Sequence, residues 1–206
     1  MKPSPSTWVR CGQWAGFDLT GSQISRLTEY RQWLLTEGVA AGGIGPNEKD
    51  RIDNRHIGDS LLFAAGFATP PSEVLDVGSG IGLPGIPLSI MMPETGFTLL
   101  DRSGRRVDLM RRVSRVLGLP NIEVIQGDIA DWETADWATR VDGIVSRASL
   151  APELATTIFP RLLRPGASAV IGGSWAAPPA VFGFDLLEVP AMVLDQTVWL
   201  LIMRGL

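Results

Sequence analysis

The stretch Val74-Leu75-Asp76-Val77-Gly78-Ser79-Gly80-Ile81-Gly82-Leu83-Pro84-Gly85 has the residue types for holding a small charged ligand. An apolar run carrying an acidic residue near its end turns through closely spaced glycines. Glycine is needed where the backbone takes a positive φ, or where it approaches a ligand without a Cβ in the way. Gly80-x-Gly82-x-x-Gly85 satisfies the dinucleotide spacing, and Asp101 lies 19 residues past Gly82, near the expected distance of about 20. That register, however, puts Pro84 inside the helix-opening turn whose amides would meet a pyrophosphate. The register from Gly78 gives Asp-x-Gly-x-Gly-x-Gly with Asp76 in the strand end. A carboxylate there repels a diphosphate and suits a ligand carrying an amino group and a sulfonium, such as S-adenosylmethionine. The loop alone leaves three readings open: S-adenosylmethionine, a dinucleotide, or a tight strand-to-helix turn with no ligand.

Two further acids stand where such a ligand would meet them. Asp101 ends the next apolar run, and its carboxylate can accept from both hydroxyls of a ribose. Gly127-Asp128-Ile129 ends the run after that, placing an acidic side chain and a backbone amide where an adenine edge would lie. A helix cap is an equally available role for either aspartate alone. The chain has one histidine, His56, and one cysteine, Cys11. An intramolecular disulfide is impossible, a Cys/His metal cage is not expected, and any nucleophile-histidine scheme would run through His56 alone.

The elements that must position these residues follow from the hydrophobic periodicity. Residues 1–70 read as a helical extension. Gly21-Ser22 opens a helix with Ile24, Leu27, Leu34 and Leu35 roughly on one face, ending near Gly38. After a glycine-rich break from Ala40 to Pro46, the residues Ile52, His56, Ile57, Leu61 and Ala64 mark a second helical segment that stops at Gly66. Residues 71–206 change pattern. Short apolar runs at Val74–Val77, Phe97–Leu100, Ile122–Ile125, Val141–Val145 and Ala167–Ile171 alternate with helix-period segments. That alternation predicts an α/β fold with a mostly parallel sheet covered on both faces. The segment Ser103 to Leu117 carries Val107, Met110, Val113 and Leu117 as a core stripe, and Gly118 stops it. Val198–Met203 and Glu188-Val189 are too close for a covering helix between them, so an antiparallel pair at the sheet end is expected. The extension and the ligand-binding domain are expected to pack as one unit.

Composition bounds the rest. The chain has 206 residues, 45% hydrophobic and 19% charged, enough to bury a sizeable core. Met1 to Arg10 has Pro3, Pro5 and no apolar run, so a secretory signal is not expected. The longest uncharged stretch, Pro165 to Phe184, is broken by Gly172-Gly173 and Pro178-Pro179 and reads as a buried strand and a loop, not a membrane span. A reducing, cytoplasmic setting fits the single cysteine. The net charge of −4 argues against coating nucleic acid by bulk attraction. Arg102, Arg105, Arg106, Arg111, Arg112 and Arg115 nevertheless concentrate on one helix, either as a phosphate-contacting patch or as a solvated helix face. The seven tryptophans offer stacking surfaces, although most read as core.

The chain resembles the small-subunit ribosomal RNA methyltransferase G family, also called glucose-inhibited division protein B. The residues that carry the resemblance are Arg55-His56-Ile57-Gly58-Asp59-Ser60, the run from Asp76 to Leu88, Leu99-Leu100-Asp101, Arg105-Arg106 and Ser146-Arg147-Ala148, in order and at matching spacing. The Gly-Leu-Pro-Gly-Ile-Pro-Leu extension from Gly82 to Leu88 is far more specific than the glycines by themselves.

The resemblance implies a class I methyltransferase, Rossmann-like fold that moves a methyl group from S-adenosylmethionine to N7 of a guanine in 16S ribosomal RNA. It places cofactor contacts at Gly78, Leu83, Asp101, the Ile129-Ala130 pair and Arg147. These join Asp76, Ser79, Gly80, Gly82 and Asp128, read from the strand-end pattern. The matched helix with His56, Asp59 and Ser60 would close over the pocket, which makes His56, Asp59 and Arg147 the catalytic candidates. A helix-packing histidine bonded to Asp59 is the competing role for His56. Guanine N7 is a lone-pair acceptor with no proton to remove, so the absence of a triad or paired-carboxylate site is expected. The partner implied is ribosomal RNA or the small ribosomal subunit, with neither a metal nor a membrane. The chain departs from the family at Ala40 to Gly45, where Asn-Leu-Thr is usual, at Ile171 to Ser174, where a lysine is common, and at Gln196 to Trp199, where basic residues are common. Each change removes a polar or cationic group able to hold RNA. Another RNA, a small metabolite, or a binding module without turnover are the alternatives this leaves.

Overall fold

A computed structural model describes residues 5–132, 134–135, 140–173, 175 and 179–205. The first strand, β1 (Glu73–Val77), sits near the middle of a seven-stranded sheet. On one side lie β2 (Gly96–Asp101) and β3 (Ile122–Gln126); on the other lie β4 (Val141–Arg147) and β5 (Leu163–Gly172). All five run parallel. The last two strands, β6 (Asp185–Val189) and β7 (Val198–Arg204), form the antiparallel pair expected from their short separation. The later strand β7 inserts between β5 and β6, giving the order β3-β2-β1-β4-β5-β7-β6. A single helical turn, Ala191–Leu194, fits into the gap between the pair, too short to cover the sheet.

Alternation along the strands separates two cores. Val74, Phe97, Leu99, Val145, Val170 and Leu200 face one side, while Leu75, Leu100, Ile144, Ile171 and Leu201 face the other. The second core is closed by α6 (Pro152–Leu162), through Ala155, Ile158, Phe159 and Leu162. The first core is closed by α4 (Gly85–Met91), α5 (Gly104–Val116) and the amino-terminal helices. The α5 stripe of Val107, Met110 and Val113 is fully buried as its spacing predicts, worth about 1.5–3 kcal/mol per side chain.

The amino-terminal helices are α1 (Pro5–Trp14) and α2 (Gly21–Trp33), the second continuing as a π-helical turn to Gly38. A capping box starts α2: Thr20 Oγ1 accepts from Gln23 N–H, and Gln23 Oε1 accepts from Thr20 N–H at 2.8 Å. After a 3₁₀ turn, Pro46–Arg51, a π-helical segment Ile52–Gly58 runs into the short helix α3, Asp59–Leu61. The π segment is pinned from two sides. Trp8 of α1 donates its indole N–H to Asp53 O at 3.2 Å, and Arg31 of α2 pairs with the buried Asp53 carboxylate at 2.8 Å. The wider π pitch, not an ideal α-helix, therefore sets where Arg55 and His56 point.

Candidate functional site

The chain leaves β1 toward β2 and β3 on one side and later takes up β4 and β5 on the other. This reversal opens a crevice at the carboxyl ends of β1 and β4, the place where open α/β sheets bind ligands. A cavity of about 670 Å³ lies there. The β1–α4 loop builds its floor, with Gly78 and Gly80 at φ +69° and +68°. These two glycines serve different ends. A Cβ on Gly78 would strike Ser149 at 2.3 Å, so that glycine permits the β4–α6 loop to cross close by. A Cβ on Gly80 would meet nothing within 4 Å and would project into open space.

The loop is tied down by acids. Asp76 is fully buried, and its Oδ2 accepts from Ser79 Oγ at 2.6 Å and from Gly85 N–H at 2.8 Å. Burial pushes its carboxyl up to about 7, against the pull of the Ser79 and Gly85 hydrogen bonds. Asp101 ends β2 with Oδ2 accepting from Gly80 N–H and Oδ1 from Ser103 N–H, both at 2.9 Å. Asp128 accepts from Ala130 N–H at 3.0 Å, which caps the short turn Ile129–Asp131.

Most of the residues anticipated for the ligand come together: Gly78, Ser79, Gly80, Leu83, Asp101, Asp128, Ile129, Ala130 and Arg147 all line the cavity. Asp76 and Gly82 do not. Asp76 lies behind the loop: Oδ2 holds it, and the buried Oδ1 has no hydrogen-bond partner among the described residues. The Gly82 Cβ position is turned against Ile86, at 2.2 Å from its side chain. The same arrangement disposes of the dinucleotide reading. The Gly85 amide at the start of α4, where a pyrophosphate would sit, already donates to the Asp76 carboxylate.

The catalytic candidates form the wall toward a second cavity of about 490 Å³, which shares His56, Arg147 and Ala148 with the first. Arg147, the last residue of β4, donates to Arg55 O at 3.0 Å and to Asp59 Oδ2 at 3.3 Å. Asp59 lines the second cavity and is absent from the first. Burial raises its carboxyl pKa, opposed by the Arg147 charge. His56 does not bond to Asp59: its Nε2 lies 3.5 Å from Glu48. Burial, with help from Arg147, pushes His56 down to about 4, so the imidazole is neutral near pH 7.

Other expectations are adjusted by the same structure. Arg102 precedes α5, and several arginines are already paired: Arg106 with Asp101 at 3.6 Å, Arg112 with Glu37 at 3.0 Å and Arg111 with Asp108 at 4.0 Å. Tyr30, a residue that no local pattern singles out, is fully buried. It donates its hydroxyl to Ile81 O at 3.0 Å, bracing the glycine loop from α2. Its spacing from Leu27 places it on the buried face, but nothing local says what lies opposite. Among the described residues no cluster of three or more His, Cys, Asp or Glu is placed to hold a metal ion, and no helix is long and apolar enough to cross a membrane.

The sheet order, its reversal beside a glycine-turned first loop and the acids at successive strand ends define a class I methyltransferase fold. Solved structures of the same fold include TrmN from Thermus thermophilus, with a TM-score of 0.53 and 19% identity over 71% of this chain and 49% of that one. A SAM dependent methyltransferase from Aquifex aeolicus matches with a TM-score of 0.50 and 19% identity, over 66% of this chain and 82% of that one. The chain belongs to the rRNA small subunit methyltransferase G family, whose pattern matches residues 23–176. Ribosomal RNA small subunit methyltransferase G of Mycobacterium leprae (strain TN) is 36% identical over 74% of this chain. Its counterpart from Shigella flexneri is 39% identical over 65%. The matched regions span 61% and 62% of the length of those two relatives.

Proposed function

We propose that the protein is an S-adenosylmethionine-dependent methyltransferase acting on N7 of a guanine in 16S ribosomal RNA. The observation that carries this reading is the cavity beside Gly80, where a glycine with positive φ leaves open the space that a Cβ would fill, ringed by Asp101 and Asp128. Asp101 retains lone pairs beyond those used by Gly80 and Ser103, so it is placed to accept from ribose hydroxyls. Asp128 and the Ile129-Ala130 backbone would receive the adenine, and Gly78 to Leu83 would support the methionine portion. Asp76 shapes the loop through Oδ2.

When bound, S-adenosylmethionine supplies an electrophilic methyl on a positively charged sulfur. The residues here need not move a proton. A guanine N7 would use its own lone pair on the methyl that the bound cofactor would supply, so no residue is needed to accept a proton. What remains is alignment in a site that tolerates the shifting charge. Arg147, fixed by Asp59 and Arg55 O, positions the junction of the two cavities, and neutral His56 adds no competing cation there. The proposed setting is cytoplasmic, where the ribosomal substrate is found. Mass spectrometry of 16S ribosomal RNA from cells with and without the protein tests the reading. Loss of a 7-methylguanosine without the protein is expected, and unchanged RNA refutes the substrate.

A further inference from the structure

Two tryptophans from distant parts of the chain are among the residues lining the second cavity. Trp199 enters from β7, and Trp175 follows the end of β5. Gln196 and Thr197 add an amide and a hydroxyl, while Arg55 and Arg147 add guanidinium groups, Arg55 lying 3.5 Å from the Glu48 carboxylate. The carboxylate in the lining, Asp59, is held by Arg147 at 3.3 Å. Because His56 and Arg147 border both cavities, an occupant of the second is brought next to the ligand of the first.

Resting on the methyltransferase reading above, we propose that this second cavity is the acceptor subsite, and that it takes a purine base of an RNA strand by stacking on Trp199 and Trp175. A planar heterocycle gains from an indole face regardless of ionic strength. Its edge presents both donors and acceptors, which an amide and a hydroxyl can meet. The guanidinium groups tolerate the strand's phosphates. An enzyme that alkylates a base must take that base out of its stack, and aromatic walls replace the lost stacking. A net charge of −4 argues against holding RNA by bulk attraction, and aromatic contacts within one cavity do not depend on it.

The test uses the full chain with S-adenosylmethionine and ribosomal RNA, comparing Trp199→Ala, Trp175→Ala and Trp199→Phe. The acceptor KM of each alanine variant should rise by about 5- to 150-fold, the range that one base–aromatic stack is worth. The affinity for S-adenosylmethionine should be unchanged, and Trp199→Phe should restore most of the loss. A KM rise that is matched by weakened cofactor binding and not rescued by phenylalanine would overturn the stacking role. A second readout is independent of turnover: a single-stranded RNA carrying 2-aminopurine, added to protein saturated with S-adenosylhomocysteine. Quenching that is lost in the alanine variants supports the subsite even if no methyl is transferred, in which case only the methyl-transfer reading fails. Methyl transfer to RNA with an unquenched probe and an unchanged KM sinks the subsite alone. Transfer to an aromatic small molecule and never to RNA overturns the assigned occupant.

Discussion

The carboxylate of Asp101 accepts the Gly80 amide at 2.9 Å, so the end of β2 holds the glycine loop of β1 in shape from across the crevice. One residue at 3% exposure thereby closes the loop, caps the turn into α5 through Ser103 and keeps lone pairs facing the cavity. Asp101→Asn turns an NH₂ toward one of two amide donors. The misplaced donor should cost about 1–3 kcal/mol, read as a lower Tm, and S-adenosylmethionine affinity should fall in parallel.

Gly80 has a different sensitivity. At φ +68°, with open space at its Cβ position, a valine is strained and fills the cavity, whereas its neighbours are not struck. Gly80→Val should lose about 1–3 kcal/mol of stability from the backbone alone. It should abolish cofactor binding while the far-ultraviolet circular dichroism stays native. Gly80→Ala should fall between, and an unaltered affinity in both would remove the loop from the binding site.

Tyr30→Phe removes only the hydroxyl that reaches Ile81 O. The carbonyl left behind should cost about 1–3 kcal/mol in thermal unfolding. Because the loop loses its brace from α2, cofactor affinity should weaken several-fold without any change in the acceptor KM. A stability loss with full cofactor affinity would show that the brace does not control the loop.

How far the sequence discloses this site can be judged residue by residue. The five parallel strands are legible because each is a short apolar run ended by a glycine, an acid or a polar residue. Asp101 and Asp128 are legible because strand ends in such a sheet converge on one edge. Asp76 is legible as a strand-end acid, but nothing local reveals that the tight return of the chain to Gly85 lets the loop itself take up one of its carboxylate oxygens. Tyr30 and Trp199 escape detection because their partners are remote, and the placement of His56 depends on a π pitch that a helical hydrophobic pattern does not reveal. The insertion of β7 between β5 and β6 is likewise a choice among edges that local sequence leaves undecided.

Removing Arg147 should separate geometry from folding. Arg147→Ala removes the guanidinium that meets both the Asp59 carboxylate and Arg55 O. Methyl transfer should drop through kcat, with a smaller change in cofactor affinity. Arg147→Lys should recover part of the rate, because one ammonium can meet one of the two acceptors but not reproduce the planar fork. A full rate in the alanine variant would exclude Arg147 from positioning the reaction.

His56 gives the pH dependence. Its pKa falls from 6.5 in the free side chain to about 4 in the fold, chiefly through burial. The unfolded chain therefore binds a proton that the folded one refuses, and stability contributed by this site is present above pH 6.5 and lost as pH falls toward 4. His56→Gln cannot take the proton. The Tm difference between wild type and variant should shift in the variant's favour across that window, and a difference that stays constant with pH would place His56 in water.

The most direct test of the account is a calorimetric titration of wild-type protein and Gly80→Val with S-adenosylmethionine, alongside NAD. One S-adenosylmethionine should bind per wild-type chain and none to the folded valine variant, with no preference for NAD. Absence of S-adenosylmethionine binding to the wild type at millimolar ligand, or equal binding by the two proteins, would contradict it.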